Sequence, residues 1–163
     1  MLALFCGFLG DIFLIVPERS WLFVSGLISF AVGHVCYIIA LLQRIPSFQS
    51  QWVIAIAAVF YLAGLAGMMR LLWPRLPKNM FLPCIVYMGI ISFMSLSALA
   101  LALSYQTLGA WLAFIGSLLF VVSDGVLSFV TFRRRIPFRY VVVMSTYILA
   151  QTLLTVSFTV VGG

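Results

Sequence analysis

Apolar residues run along this chain in six long blocks, separated by short stretches rich in Pro, Arg and Ser. A helix that crosses a bilayer needs roughly 20 consecutive, mostly apolar residues. The blocks predict spans over residues 1–16, 21–43, 51–73, 80–103, 108–132 and 140–161. The predicted fold is therefore all-α: a polytopic membrane helix bundle that forms one domain over residues 1–163.

Composition strengthens this prediction. The chain is 65% hydrophobic and only 7% charged, whereas a soluble domain usually carries about 25% charged residues. The net charge of +6 does not indicate nucleic-acid binding, because the nine Lys and Arg residues lie at the ends of the apolar blocks. We expect a multi-pass integral membrane protein, located in a bacterial inner membrane. With His34 as its one histidine and no metal-site spacing among its three cysteines, the sequence implies neither a metal nor a cofactor.

The basic residues also predict an orientation. Eight of the nine lie at or near the connections that follow the first, third and fifth spans, and only Arg44 lies on the opposite side. By the positive-inside rule these connections are cytoplasmic, and both termini face outward. The run Arg133-Arg134-Arg135 is chiefly a topology anchor, with attraction of a phosphate headgroup as a second role.

Two of the three acidic residues fall inside predicted spans. Asp11 follows Gly10, and Asp124 follows Ser123. An ionisable group at mid-bilayer costs at least ~2.5–3.5 kcal/mol on insertion scales, so it marks a functional site by default. The predicted topology places both acids at similar depth in the inner half of the membrane. Convergence on one cavity is therefore possible.

Other polar and small residues have structural and functional interpretations that both stay open. Tyr37 lies on the same helical face as His34, three residues later, and either side chain could bond a neighbouring helix or belong to a site. Gly10 could serve helix packing or leave room for a ligand. Small-residue pairs predict close helix packing at Ala63 with Gly67 and at Gly109 with Ala113.

Taken in order, the Gly10-Asp11 pair, His34 with Tyr37, and residues 119–124 (LFVVSD) resemble the YhhN family of membrane proteins. This resemblance implies a fold of about eight helices and the activity found in animal members, lysoplasmalogenase. Such enzymes hydrolyse the sn-1 vinyl ether of a lysoplasmalogen to a fatty aldehyde and a glycerophospho-ethanolamine or -choline. By resemblance, Asp11 and Asp124 would be the catalytic acids.

The resemblance also implies a lipid substrate held near those acids, with no cofactor. We assign substrate contact to His34, Tyr37, Gly10 and Ser123, and the sequence leaves the oligomeric state open. Family members usually carry two further helices and a Lys-Pro motif before the Gly-Asp element. The shortness of the first span favours a start codon placed too late over a genuinely shortened member.

A vinyl ether is cleaved by acid: a proton reaches the β-carbon, an oxocarbenium ion forms, and water adds. One carboxyl must therefore be protonated while a second group stays charged, a division of labour known from paired carboxylates. Burial disfavours the charged form of a carboxyl. We hypothesise that one of Asp11 and Asp124 is the acid and the other stabilises the cation, with the assignment open.

Two other functions compete with hydrolysis. A transporter or proton-conducting protein could use Asp11, His34 and Asp124 as a relay. The absence of a visible inverted repeat weighs against transport. A non-catalytic scaffold would explain the small-residue packing but leaves the buried acids without a purpose.

Overall fold

The computed structural model describes residues 2–14, 20–47, 50–132 and 139–160. They form six helices: α1 (Leu2–Leu14), α2 (Ser20–Leu42), α3 (Gln51–Leu72), α4 (Lys78–Tyr105), α5 (Leu108–Phe132) and α6 (Arg139–Val160). The bounds of α2 to α6 differ from the predicted spans by no more than two residues. All five of these helices are long and apolar enough to cross a membrane, which confirms a multi-pass, all-helical protein.

The first predicted span is only partly realised in the described structure. Helix α1 has 13 residues and is about 20 Å long, short of the ~30 Å hydrocarbon core. Residues 1, 15 and 16 of that predicted span lie outside the described residues, as do Arg19 and the triplet 133–135. The orientation of the termini stays a prediction.

Two helical hairpins flank a central helix. Helix α1 packs on α2, and α5 packs on α6, while α4 lies between α2 and α5. The core that joins them includes Met94 and Ala98 of α4, Phe120 of α5, and Leu154 of α6. Helix α3 packs mainly on α4 and touches α5 only at its edge, so most of its apolar surface faces outward. This loose attachment leaves a groove between α3 and α5.

Glycine determines how closely α5 approaches α6. A Cβ atom added at Gly116 would lie 3.1 Å from the Ala150 carbonyl oxygen and 3.1 Å from the Leu154 amide nitrogen. The pair Gly109 and Ala113 is buried in the same helix, as predicted. The same prediction is wrong for Ala63 and Gly67, since a Cβ at Gly67 meets no atom within 4 Å in the described part of the chain.

We expect Gly116→Ala to destabilise the protein. Alanine favours helix by roughly 0.5–1 kcal/mol over glycine, but crowding against a backbone carbonyl costs typically 1–3 kcal/mol. Gly89→Ala is the matched control, because a Cβ there meets no atom of the described residues within 4 Å. The measurement is the thermal unfolding midpoint of both variants in the same detergent. Equal midpoints for the two variants would contradict close α5–α6 packing at this position.

Candidate active site

Five of the six helices bring a polar side chain to one interior region. Asp124 lies eight residues before the end of α5, and Tyr87 and Tyr147 lie nine and eight residues after the starts of α4 and α6. These offsets correspond to about 12–14 Å at 1.5 Å per residue. Because α5 runs opposite to α4 and α6, the three side chains reach the same level of the bundle. Asp11 and His34 join them from α1 and α2.

Asp124 is held by a phenol and an imidazole. The Tyr87 hydroxyl donates a hydrogen bond to the Oδ2 atom of Asp124 and lies 3.3 Å from the His34 Nε2 atom. That nitrogen is 3.8 Å from the same carboxylate oxygen. His34 is 2% exposed, and its ring stacks on Tyr87 and meets Phe120 edge-on. The three polar groups therefore form one fixed cluster in an apolar interior.

Asp11 faces the same interior through Tyr147. The Tyr147 hydroxyl lies within hydrogen-bonding reach of the Asp11 carboxyl, and the two carboxyls are close enough to interact electrostatically. The Tyr147 ring is wedged edge-on between Phe30 and Phe120, at centroid distances of 5.9 and 5.5 Å. Its hydroxyl also accepts a hydrogen bond from the Gln151 amide, at 3.2 Å. Tyr147 thus bonds Asp11 and lies within electrostatic range of Asp124.

Two predicted substrate-binding residues make helix–helix contacts. A Cβ added at Gly10 would lie 2.6 Å from the Phe30 ring, so that ring occupies the space the glycine leaves. The Ser123 hydroxyl donates to the Val143 carbonyl oxygen of α6, at 3.2 Å. A role in substrate binding stays a prediction for both.

Tyr37 lies deeper in the bundle than the acids. Its hydroxyl donates to the Gln151 side-chain oxygen at 2.8 Å, and its ring stacks on Phe158. Since Gln151 also donates to Tyr147, Tyr37 is connected to the acid cluster through two hydrogen bonds. Direct contact of Tyr37 with substrate stays a prediction, and the structure offers a supporting role through Gln151.

An apolar groove reaches Asp124 from the outside of the bundle. It has a volume of about 570 Å³, within the roughly 300–1,000 Å³ typical of ligand sites, and lies between α3, α4 and α5. Its wall includes Tyr87 and Asp124, which is the only charged residue among the described residues that line it. On the outer side Phe60 is 74% exposed and Val122 is 52% exposed. The groove is therefore open toward the surrounding lipid.

Tyr87 and Tyr147 were not predicted from the sequence. Both phenols lie well inside apolar spans, away from the interfaces where tyrosine is common. A buried tyrosine hydroxyl usually requires a hydrogen-bond partner, and that requirement is the signal that could have identified them. Among the described residues, no three His, Cys, Asp or Glu side chains come together as a metal site.

Known proteins resemble this chain over most of its length. It is 37% identical over 155 residues to lysoplasmalogenase TMEM86B of Rattus norvegicus, covering 95% of this chain and 59% of that protein. Identity is 34% over 155 residues with lysoplasmalogenase TMEM86A of Bos taurus, covering 91% and 60%. It is 31% over 157 residues with the lysoplasmalogenase of Mycobacterium tuberculosis, covering 96% and 58%.

The chain spans about three fifths of the length of these relatives. No solved structure gives a significant match. The sequence pattern of the YhhN family matches residues 1–158, which include the five polar positions of the site, from Asp11 on α1 to Tyr147 on α6. The chain therefore belongs to the YhhN family.

Proposed function

We propose that this protein hydrolyses the vinyl ether bond of a lysoplasmalogen or a related ether lysolipid within the membrane. The observation that carries the proposal is the position of Asp124, whose carboxyl group lies in the wall of a lipid-facing apolar groove, with the Asp11 carboxyl within electrostatic range. The relatives named lysoplasmalogenase supply the reaction class. They include animal and bacterial proteins, so location in a bacterial inner membrane stays a prediction.

Asp124 is assigned as the acid, because it is the carboxyl that a lipid in the groove would meet. Its Oδ2 atom accepts the Tyr87 hydrogen bond, which leaves Oδ1 to carry the proton. That proton passes to the β-carbon of the vinyl ether, and the double-bond electrons form the new C–H bond. Positive charge develops on the α-carbon and the ether oxygen, beside the new Asp124 carboxylate.

Water completes the reaction without a cofactor. As its oxygen bonds to the α-carbon, it gives a proton to the Asp124 carboxylate, which restores the acid. The resulting hemiacetal collapses to a fatty aldehyde and a glycerol hydroxyl, so one water is consumed for each ether cleaved. This alternation of acid and base in one carboxyl follows the logic of retaining glycosidases.

Asp11 and His34 support this chemistry without lining the groove. Asp11 adds negative charge close to the developing cation, and its carboxyl is hydrogen-bonded to the Tyr147 hydroxyl. Preorganised charge of this kind is effective in a site that excludes water. In the tautomer that carries hydrogen on Nε2, His34 donates to the Tyr87 oxygen and so fixes the phenol that donates to Asp124.

A substrate panel tests the proposal. The purified chain is reconstituted in lipid nanodiscs and supplied with three lysolipids that share a headgroup and differ at sn-1: alkenyl ether, alkyl ether and acyl ester. We expect aldehyde from the alkenyl ether alone, because only that substrate forms an oxocarbenium ion on protonation. Release of fatty acid from the ester with no aldehyde from the alkenyl ether would refute the proposal. Proton flux in proteoliposomes with no hydrolysis would instead favour a relay.

A further inference from the structure

The groove has two halves on either side of Asp124. The lining residues of α5 run from Val121 to Phe129, and those of α4 extend to Ile91 and Ser92. Ser92 lies five residues beyond Tyr87, the α4 residue that bonds Asp124, and is therefore about 7.5 Å deeper along α4 than that contact. Ser128 lies on the other side, four residues nearer the end of α5. A lipid bound with its reacting bond at Asp124 would therefore extend into both halves of the groove.

Building on the proposed function, we propose that the half between Asp124 and Ser92 binds the hydrocarbon chain of the lysolipid and makes hydrolysis depend on chain length. The headgroup then extends past Ser128 toward the end of α5. The geometry gives this direction: about 12 Å of helix separates Asp124 from Phe132, against about 24 Å to the opposite end at Leu108. A polar headgroup reaches water by the shorter path.

The lining suits a hydrocarbon chain rather than a headgroup. Ile91, Phe60 and Val121 make the deep half apolar, and Met88 provides an adaptable, polarisable surface. None of the described residues that line the groove carries a positive charge that could pair with a phosphate held inside it. At its shallow end the groove leads toward Lys78 at the start of α4, where the lysolipid phosphate would meet positive charge at the membrane surface.

Gly64 and Ser92 leave room for the substrate. A Cβ added at Gly64, which lies on α3 at the level of Asp124, meets no atom within 4 Å in the part of the chain that the structure describes. The Ser92 hydroxyl donates to the Met88 carbonyl of its own helix at 2.7 Å, so no neighbouring helix depends on it. Ser92 can therefore be enlarged without removing a helix–helix hydrogen bond.

A matched pair of substitutions tests the direction of binding. Ser92→Phe fills the deep half, and Ser128→Phe places the same side chain in the shallow half. We expect S92F to lower kcat/KM for a long-chain alkenyl lysolipid roughly tenfold more than for one whose chain is shorter than ~7.5 Å, because a hydrophobic pocket discriminates by this order. We expect S128F to lower kcat/KM by the same factor for both chain lengths.

Equal losses for both chain lengths in S92F, or a chain-length effect in S128F instead, would overturn the inference. A second measurement uses the wild-type chain and does not depend on either variant folding. A lysolipid with a photoreactive group in mid-chain should label the α3 and α4 segments around Phe60 and Ser92. Labelling confined to α2 or α6 would also overturn it.

The same probe separates this inference from the proposed function. If the wild-type chain releases no aldehyde from any alkenyl substrate, the proposed function fails. Labelling around Phe60 and Ser92 would then still support a hydrocarbon site in the deep half. Active enzyme with labelling elsewhere would refute the chain site alone.

Discussion

Asp124→Asn is expected to reduce aldehyde release by roughly 10²–10⁴-fold, the usual contribution of a positioned general acid. The asparagine carbonyl can still accept the Tyr87 hydrogen bond, so the local structure should persist. What the amide cannot do is deliver a proton to carbon. We therefore expect normal expression, a normal thermal midpoint and an intact groove together with almost no turnover. Aldehyde is measured by mass spectrometry after derivatisation.

Ile115→Val is a suitable control for this variant. It lies on the exposed face of the same helix, outside the groove lining, and it removes only one methylene group. Its activity should stay within a few fold of wild type. If D124N also kept turnover within a few fold of wild type, Asp124 would not be the acid, and the mechanism would have to be abandoned.

Asp11→Asn should give the second largest loss, about 10²-fold in kcat with little change in KM. Asp11 does not line the groove, so substrate binding should survive its neutralisation. Its proposed role is to stabilise charge that appears only during the reaction, and losing such a stabiliser typically costs 10²–10³-fold in kcat. Steady-state kinetics with the alkenyl lysolipid separate the two parameters.

The double variant Asp11→Asn with Asp124→Asn sharpens the test. Residues that act as one catalytic unit show non-additive losses, so the double variant should be little worse than D124N alone. Phe8→Leu is a control on the exposed face of α1 and should leave both parameters unchanged. A rise in KM with unchanged kcat in D11N would show that Asp11 binds substrate instead.

Much of the fold follows from apolarity alone, because the bilayer fixes helix length and the charged connections interrupt the blocks. Depth in the membrane is predictable for the same reason, and similar depths are predicted for Asp11 and Asp124. Which face of a helix meets a neighbour is harder to predict. The small-residue pair Gly109 and Ala113 is buried, whereas the similar pair Ala63 and Gly67 faces outward.

The rest of the site depends on the order in which the helices pack. Tyr87 becomes a partner of Asp124 only because α4 lies between α2 and α5. Tyr147 reaches Asp11 only because its hydroxyl lies against Gly7 of α1, 2.9 Å from where a Cβ would stand. Nothing in the spacing of residues along one helix encodes these neighbours. The groove is likewise a product of how α3 rests on α4 without closing on α5.

The gap beside α3 has a consequence for where the products go. An aldehyde formed next to Asp124 would pass sideways into the bilayer past Phe60 and Val122, which border the opening. The glycerophospho fragment, no longer joined to a hydrocarbon chain, would leave the membrane and diffuse into water. The aldehyde would then be in the bilayer and the glycerophospho fragment in water. This separation would limit the reverse reaction, because the two products would no longer meet.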